Sequence, residues 1–440
     1  MNARDPLKIA YITAGAAGMY CGSCMHDNTL AAALKGMGHD VALIPTYTPV
    51  RTDETDVSID RVFYGAVNVY LEQWSAHFRR MPKAIHWLLD RPRLLRWASG
   101  HGVTPDAEVL GELTLSILRG ERGNQKRELE ELVAWLRDSY KPDIVHITNS
   151  MFLGLAGPIK RELGVPVVCS VQGEDLFVDH LIEPYRTRVR RELCAHARDV
   201  DAIIATGTYY ADFMADYLDI SRARVRIAHL GINLEGHGQE SPRVRQEDDP
   251  RPFVIGYLAR ICPEKGLHIL AEAFRNLAAD AGKGAVALKV AGYLGKRDEQ
   301  YLQGIREEIE DWGLASCFEY VGEVDRAEKI EFLGSLDVLS VPTPYQDPKG
   351  LFVFEALANS VPVVQPDHGA FPELIEMTGG GLLSAPESPG DLADQIRALM
   401  DDEELRQQLG TQGKLAVERL FSDTTMAEDT LNVYREWSSS

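Results

Sequence analysis

Long apolar runs are missing from this 440-residue chain: no stretch approaches the ~20 consecutive apolar residues that a bilayer-spanning helix needs, so the sequence reads as a water-soluble protein. Its opening residues, MNARDPLKIAYITAG, pass straight into a strand-like segment with no apolar signal region and cleavage site, which argues against export. Basic charge is also in short supply. With 46 Lys and Arg against 66 Asp and Glu, the formal net charge is −20, which excludes wholesale binding to nucleic acid; an anionic ligand must meet a local basic site. Cysteine is sparse and scattered (Cys21, Cys24, Cys169, Cys194, Cys262, Cys317), as expected for reduced thiols in the cytoplasm. Cys21 and Cys24 form a CxxC spacing, but structural zinc takes four ligands and no second CxxC or HxxxH cluster accompanies them, so neither a metal site nor a redox pair is expected.

What is present is core material and rhythm. Hydrophobic residues make up 45% of a chain longer than one core usually serves, which predicts two domains. Short apolar runs at Leu7 to Thr13, Val41 to Pro45, Asp143 to Thr148, Val165 to Val171 and Ala202 to Thr206 alternate with stretches of helical period, the pattern of a parallel sheet covered by helices. The rhythm restarts with Phe253 to Leu258, Ala287 to Ala291, Phe318 to Val321, Val338 to Val341 and Val361 to Val364. The expected fold is therefore α/β, two Rossmann-like domains facing across a cleft. The first spans 1–232, a polar linker 233–252, the second 253–422, and a C-terminal helical segment 423–440 crosses back to the first domain. Residues 60–127 break the alternation and read as an inserted helical lobe. Within it, residues 70–98 interleave Trp74, Trp87 and Trp97 with Arg79, Arg80, Lys83, Arg91, Arg93 and Arg96. Such a segment can lie on an anionic membrane surface or pack onto its parent domain, and both readings stay open.

Open parallel sheets bind ligands beyond the carboxyl ends of their strands, so the loops there are the places to seek chemistry. After the first strand, TAGAAGMYCGSCMHDN carries Gly15, Gly18 and Gly22 ahead of a helix whose first amides could face a phosphate or sugar; tight packing explains such glycines equally well. In the second half, GYLARICPEKG places Arg260 and Lys265 beside each other after a strand. Fixed Arg and Lys donors stabilise the growing charge of a diphosphate leaving group without a metal. Farther on, TPYQDPKGLFVFEALA sets Asp347 and Glu355 eight positions apart, with Gly350 and Leu351 at a helix start between them. Flanked by Phe352, Phe354, Ala356 and Leu357, Glu355 is expected to be partly buried, and a ligand would resolve the cost of its charge.

These motifs, with the VAG turn at Val290 to Gly292, VGEV at Val321 to Val324 and GAFPELI at Gly369 to Ile375, resemble the retaining glycosyltransferases of family 4, which have the two-domain GT-B fold. The resemblance covers nearly the whole chain. It implies a hexosyltransferase of glycan biosynthesis that moves a sugar from a nucleotide-diphosphate donor to a carbohydrate, lipid-linked or small-molecule acceptor, with no cofactor and no metal. It assigns catalytic roles to Arg260 and Lys265 at the donor diphosphate, Glu355 at the ribose and Asp347 at the transferred sugar. Leu351 and Phe352, following Gly350, would offer amides to phosphate. Gly292 and Val324 would stand by the nucleotide, and the Gly15, Gly18 and Gly22 loop would close over the donor. Two positions depart from the pattern. Asp347 is one methylene shorter than the glutamate usual there, and Gln172 in VQGEDLF replaces a histidine of many members; Gln172, Glu174 and Asp175 are then the candidates for acceptor or sugar contact. A non-catalytic sugar-nucleotide-binding scaffold and a sugar-nucleotide epimerase are the competing readings.

Overall fold

Among the described residues twelve strands alternate with helices, and every strand pairing is parallel. The structure is a computed structural model that describes residues 5–15, 22–64, 107–239 and 251–438. It divides into two units, one from Met1–Leu230 with Asp423–Ser440, the other Gly231–Ser422. The sequence-expected lobe at 70–98, Gly18 and Cys21, and most of the polar linker lie outside the described residues.

Unit 1 holds β1 (Lys8–Thr13), β2 (Asp40–Pro45), β3 (Ile144–Thr148), β4 (Val167–Ser170), β5 (Ala202–Ala205) and β6 (Val225–Ile227) in the order β2-β1-β3-β4-β5-β6. A sheet covered on both faces has continuously apolar strands. β3, β4 and β5 are accordingly buried at every position. Alternation of side chains about the sheet plane sends Ala10 and Ile12 into one core and Ile9 and Tyr11 into the other. The second core is closed by helix α1 (Gly22–Gly36), through Leu30, Ala31 and Leu34, and by the C-terminal helix, through Met426, Leu431 and Tyr434. That last helix, Asp423–Ser438, thus belongs structurally with the beginning of the chain. From the interrupted region at 60–127, helix Ala107–Leu118 contributes Leu115, Ile117 and Leu118 to the first core.

Unit 2 contains β7 (Phe253–Leu258), β8 (Val286–Ala291), β9 (Phe318–Gly322), β10 (Val338–Leu339), β11 (Val363–Pro366) and β12 (Gly381–Ser384), ordered β12-β11-β10-β7-β8-β9. Central β7 is buried throughout, whereas edge strand β9 alternates between half-buried and exposed positions. Strands β6 and β12 were not anticipated from sequence: three and four residues at a sheet edge carry too little pattern to be recognised. In both units the strand order reverses beside the first strand, between β1 and β3 and between β7 and β10, and this opens a crevice at the strands' carboxyl ends.

Candidate functional site

The crevice of unit 2 is built from loops that four strands deliver to one end of the sheet. After β7 the chain passes Arg260 and makes a single turn at Pro263–Lys265 before helix α2 (Leu267–Ala281). Gly266 makes the turn possible: its φ is +73°, and a Cβ there would stand 1.9 Å from the carbonyl oxygen of Pro342 in the loop after β10. The two loops therefore touch through backbone, which brings Lys265 onto residues far away in sequence.

Lys265 Nζ lies 2.6 Å from Asp347 Oδ2 and 2.7 Å from the Tyr345 hydroxyl, which itself donates to Asp347 Oδ2 at 2.8 Å. The other carboxylate oxygen of Asp347 accepts the amides of Lys349 at 2.9 Å and Gly350 at 3.2 Å. Burial alone would raise the Asp347 pKa, but the Lys265 ammonium outweighs it and holds the carboxyl well below the usual carboxylate range. For Lys265, burial favours the neutral amine and Asp347 overrides it, so the ammonium is held charged. Gly350 then begins helix α4 (Leu351–Ala358), which no side chain caps. Helix α3 (Arg326–Gly334) precedes it in the chain. In the first turn of α4 the Leu351 and Phe352 amides have no intrahelical acceptor, so they stand available beside the ion pair. Arg260 is exposed and has no ion-pair partner among the described residues.

Glu355 follows Phe352 and Leu351 by three and four positions and so shares their side of α4. It is 7% exposed, as its apolar neighbours suggested, but the charge that compensates it is internal: Lys329 on α3 places Nζ 2.5 Å from Glu355 Oε1. A ligand is not required to resolve that burial, which corrects the sequence expectation. Oε2 keeps no partner among the described residues. Beyond β8, the Gly292 amide donates to the Gly322 carbonyl at 2.8 Å, tying the β8 loop to the turn that carries half-buried Val324. A recess of about 330 Å³ in the same unit, lined by Asp337, Asn359 and Arg406 among others, lies at the amino ends of β10 and β11, away from these loops.

In unit 1 the corresponding crevice is organised around a buried carboxylate. Asp27 on α1 is fully buried; Oδ1 accepts from the Tyr11 hydroxyl at 2.7 Å and Gln172 Nε2 at 2.9 Å, and Oδ2 from the Thr13 hydroxyl at 2.6 Å. His26 Nδ1 is 3.0 Å from Oδ1. Burial would raise the Asp27 pKa, yet the His26, Thr13 and Tyr11 contacts hold it below its ordinary value. Beneath it His146 stacks on Tyr11 with ring centroids 4.4 Å apart, and its two nitrogens meet the Tyr434 hydroxyl at 2.6 Å and the Ser170 hydroxyl at 2.5 Å. Glu174 accepts the amides of Ser150 and Gln172, both at 2.7 Å, and so clamps the loops after β3 and β4 to each other. Asp175 accepts from the Tyr210 hydroxyl at 2.6 Å, and burial raises its pKa. Gly15 packs against Thr48, and Gly22 opens α1.

Lys265, Asp347, Gly350, Leu351 and Phe352 are thus neighbours, with Glu355 one turn along the same helix; Gln172 and Glu174 share a loop in unit 1. Sequence reasoning missed Lys329, Tyr345, His26 and Asp27. The signal for the last two was available: four consecutive polar residues, His26 to Thr29, interrupt the apolar pattern of α1, and all are buried.

Comparison with known proteins agrees with this architecture. The profile of glycosyl transferases group 1 matches residues 239–416, and that of glycosyltransferase family 4 matches residues 97–235. A glycogen synthase of Mycobacterium tuberculosis is 24% identical over 418 residues, covering 93% of this chain and 89% of its own. A D-inositol 3-phosphate glycosyltransferase of Nocardioides is 25% identical over 311 residues, 67% of each. Among solved structures, sucrose-phosphate synthase from Thermosynechococcus elongatus superposes with a TM-score of 0.70 at 18% identity, covering 98% of this chain and 99% of its own. Anabaena HepE, solved in complex with UDP, gives 0.68 at 16% identity, covering 98% and 100%. From these two profiles, together covering most of the chain, and from the paired parallel sheets, the chain belongs to the family 4 glycosyltransferases and carries their GT-B fold of two Rossmann-like domains.

Proposed function

We propose that this glycosyltransferase is a retaining enzyme that moves a hexose-type sugar from a nucleotide-diphosphate sugar to a carbohydrate, lipid-linked or small-molecule acceptor, without a metal. The observation that carries the donor assignment is the cluster at the β7/β10 crevice: an ammonium fixed by a carboxylate beside two uncapped helix amides. Anions settle where backbone amides and fixed cations converge. In this reading Lys265, Arg260 and the Leu351 and Phe352 amides hold the diphosphate, Asp347 orients both Lys265 and the sugar, and Glu355 Oε2 accepts hydrogen bonds from the ribose hydroxyls. Gly292 and Val324 line the nucleotide. As the bond from the sugar to the diphosphate breaks, its electron pair leaves with phosphate, whose growing charge those donors stabilise. The acceptor hydroxyl attacks the same face and gives its proton to the departing phosphate oxygen, so no enzyme nucleophile is required. That a structural neighbour was solved with UDP-glucose and a relative is named D-inositol 3-phosphate glycosyltransferase supports this donor and acceptor chemistry.

Incubation with UDP-, GDP- and ADP-sugars, each with and without hydroxyl acceptors, should give nucleotide release that EDTA does not suppress, and NMR of the product should show the donor's anomeric configuration. Inverted product or EDTA sensitivity would refute the mechanism, and donor binding with no turnover across the panel would establish a binding scaffold instead.

A further inference from the structure

The donor reading leaves unused a histidine at the crevice of unit 1. His26 is only 7% exposed, and its Nδ1 sits 3.0 Å from the Oδ1 of buried Asp27. An ionised carboxylate offers acceptors only, so the ring nitrogen facing it is the N–H, which leaves Nε2 as the nitrogen that can meet another partner. Gln172 Nε2 is 3.0 Å from the same Nδ1 and 2.9 Å from Asp27 Oδ1, and its hydrogen goes to the carboxylate. With Tyr11, Thr13 and Gln172 also donating to Asp27, the orientation of the ring is fixed by groups that cannot move without leaving a buried charge short of partners. Nε2 has no partner among the described residues, and His26 borders a small recess shared with Ser170, Gln172 and Thr206. This is the side where β1 and β4 end, beside the point at which the strand order reverses, where parallel sheets receive ligands. A carboxylate that fixes one nitrogen of a histidine so that the other can work is a recurrent device of catalytic and metal sites. A packing role would use Nδ1 alone.

We propose that His26 contacts substrate during glycosyl transfer, its Nε2 sharing a hydrogen bond with a sugar or polyol hydroxyl. The proposal deepens the transferase reading above and rests on it. Two replacements separate the functions of the two nitrogens: Asn places a polar atom near Nδ1 and nothing at Nε2, whereas Gln reaches the position of Nε2. In the full-length protein, kcat/KM for nucleotide release from the best of UDP-, GDP- and ADP-glucose, with glucose, myo-inositol and glycerol as acceptors, should fall about 10- to 100-fold in His26→Asn at unchanged Tm, and stay within about threefold of wild type in His26→Gln. The opposite order, or two variants equal to wild type, overturns the contact; so does a loss that merely follows a lowered Tm. Release without acceptor assigns the hydroxyl: an equal fall puts it on the donor sugar, and a fall only in transfer puts it on the acceptor. If wild type releases no nucleotide from any donor, the transferase reading itself fails. In that case the imidazole ¹⁵N resonances of His26 still decide the contact. A shift of Nε2 on addition of UDP-glucose or of UDP with glucose supports it, and an unmoved Nε2 overturns it.

Discussion

The two crevices share a topology and differ in how they hold a carboxylate. In unit 2, Asp347 faces an ammonium across the β7/β10 junction, and Glu355 repeats the pairing with Lys329, so both acids are fixed by opposite charge. In unit 1, Asp27 is just as buried but is surrounded by hydroxyls, an amide and an imidazole. Charge pairs suit a pocket that must meet a polyanion, because a cation such as Lys265 is held charged by its carboxylate partner. Hydroxyl and amide donors suit a pocket that reads hydroxyl groups. The difference also changes what each unit tolerates.

The largest effect is expected at Lys265. Lys265→Ala leaves Asp347 buried and unpaired, and should destabilise the protein by ~3–5 kcal/mol in urea unfolding while abolishing donor binding. If opposite charge is what matters, Lys265→Met with Asp347→Leu recovers much of the stability and none of the binding. Arg260→Ala comes next: removing an exposed, charge-assisted donor should weaken nucleotide-sugar binding, measured by calorimetry, by about 1.5–3 kcal/mol with an unchanged Tm. Equal affinity would mean that Arg260 does not touch the donor.

Acidification should act on the neutral network first. Burial pushes the His146 pKa down to about 3, below its ordinary value near 6.5, so between these values the unfolded chain binds a proton that the folded one does not. Its contribution is complete above about pH 6.5 and is lost as the pH falls toward 3; from pH 7 to 5 this one group costs about 2 kcal/mol. Denaturant titrations at the two pH values check the slope, which should flatten in His146→Gln. The Lys265–Asp347 pair moves differently: the depressed Asp347 pKa keeps its contribution intact until far more acidic conditions. The smallest expected change is in Tyr434→Phe, which removes one hydroxyl from His146 and should cost about 1 kcal/mol.

Much of the fold was legible because a strand buried on both faces writes itself as an apolar run; the bounds of Phe253–Leu258 are those the sequence suggests. Short edge strands and the helix Thr208–Tyr217 carried weaker signals. Within the site, Lys265, Asp347 and Glu355 each stood out in a local motif. Their partnerships did not, because Lys265 meets Asp347 only where β7 adjoins β10, and Lys329 meets Glu355 across helices whose packing no local pattern encodes. The Asp27 network was hidden for a similar reason: polar residues on a helix usually mean a solvated face, and only the sheet beneath α1 turns them inward.

The placement of the C-terminal helix has a consequence for biosynthesis. Domains tend to fold as they emerge from the ribosome, N-terminal first. Here the sheet of unit 1 is ready early, yet the helix that covers Ile9 and Tyr11 and supplies Tyr434 is translated only after all of unit 2. Throughout synthesis of unit 2 the nascent first unit therefore waits with an apolar face uncovered and His146 short of a partner, and it becomes whole only after the intervening unit has been made.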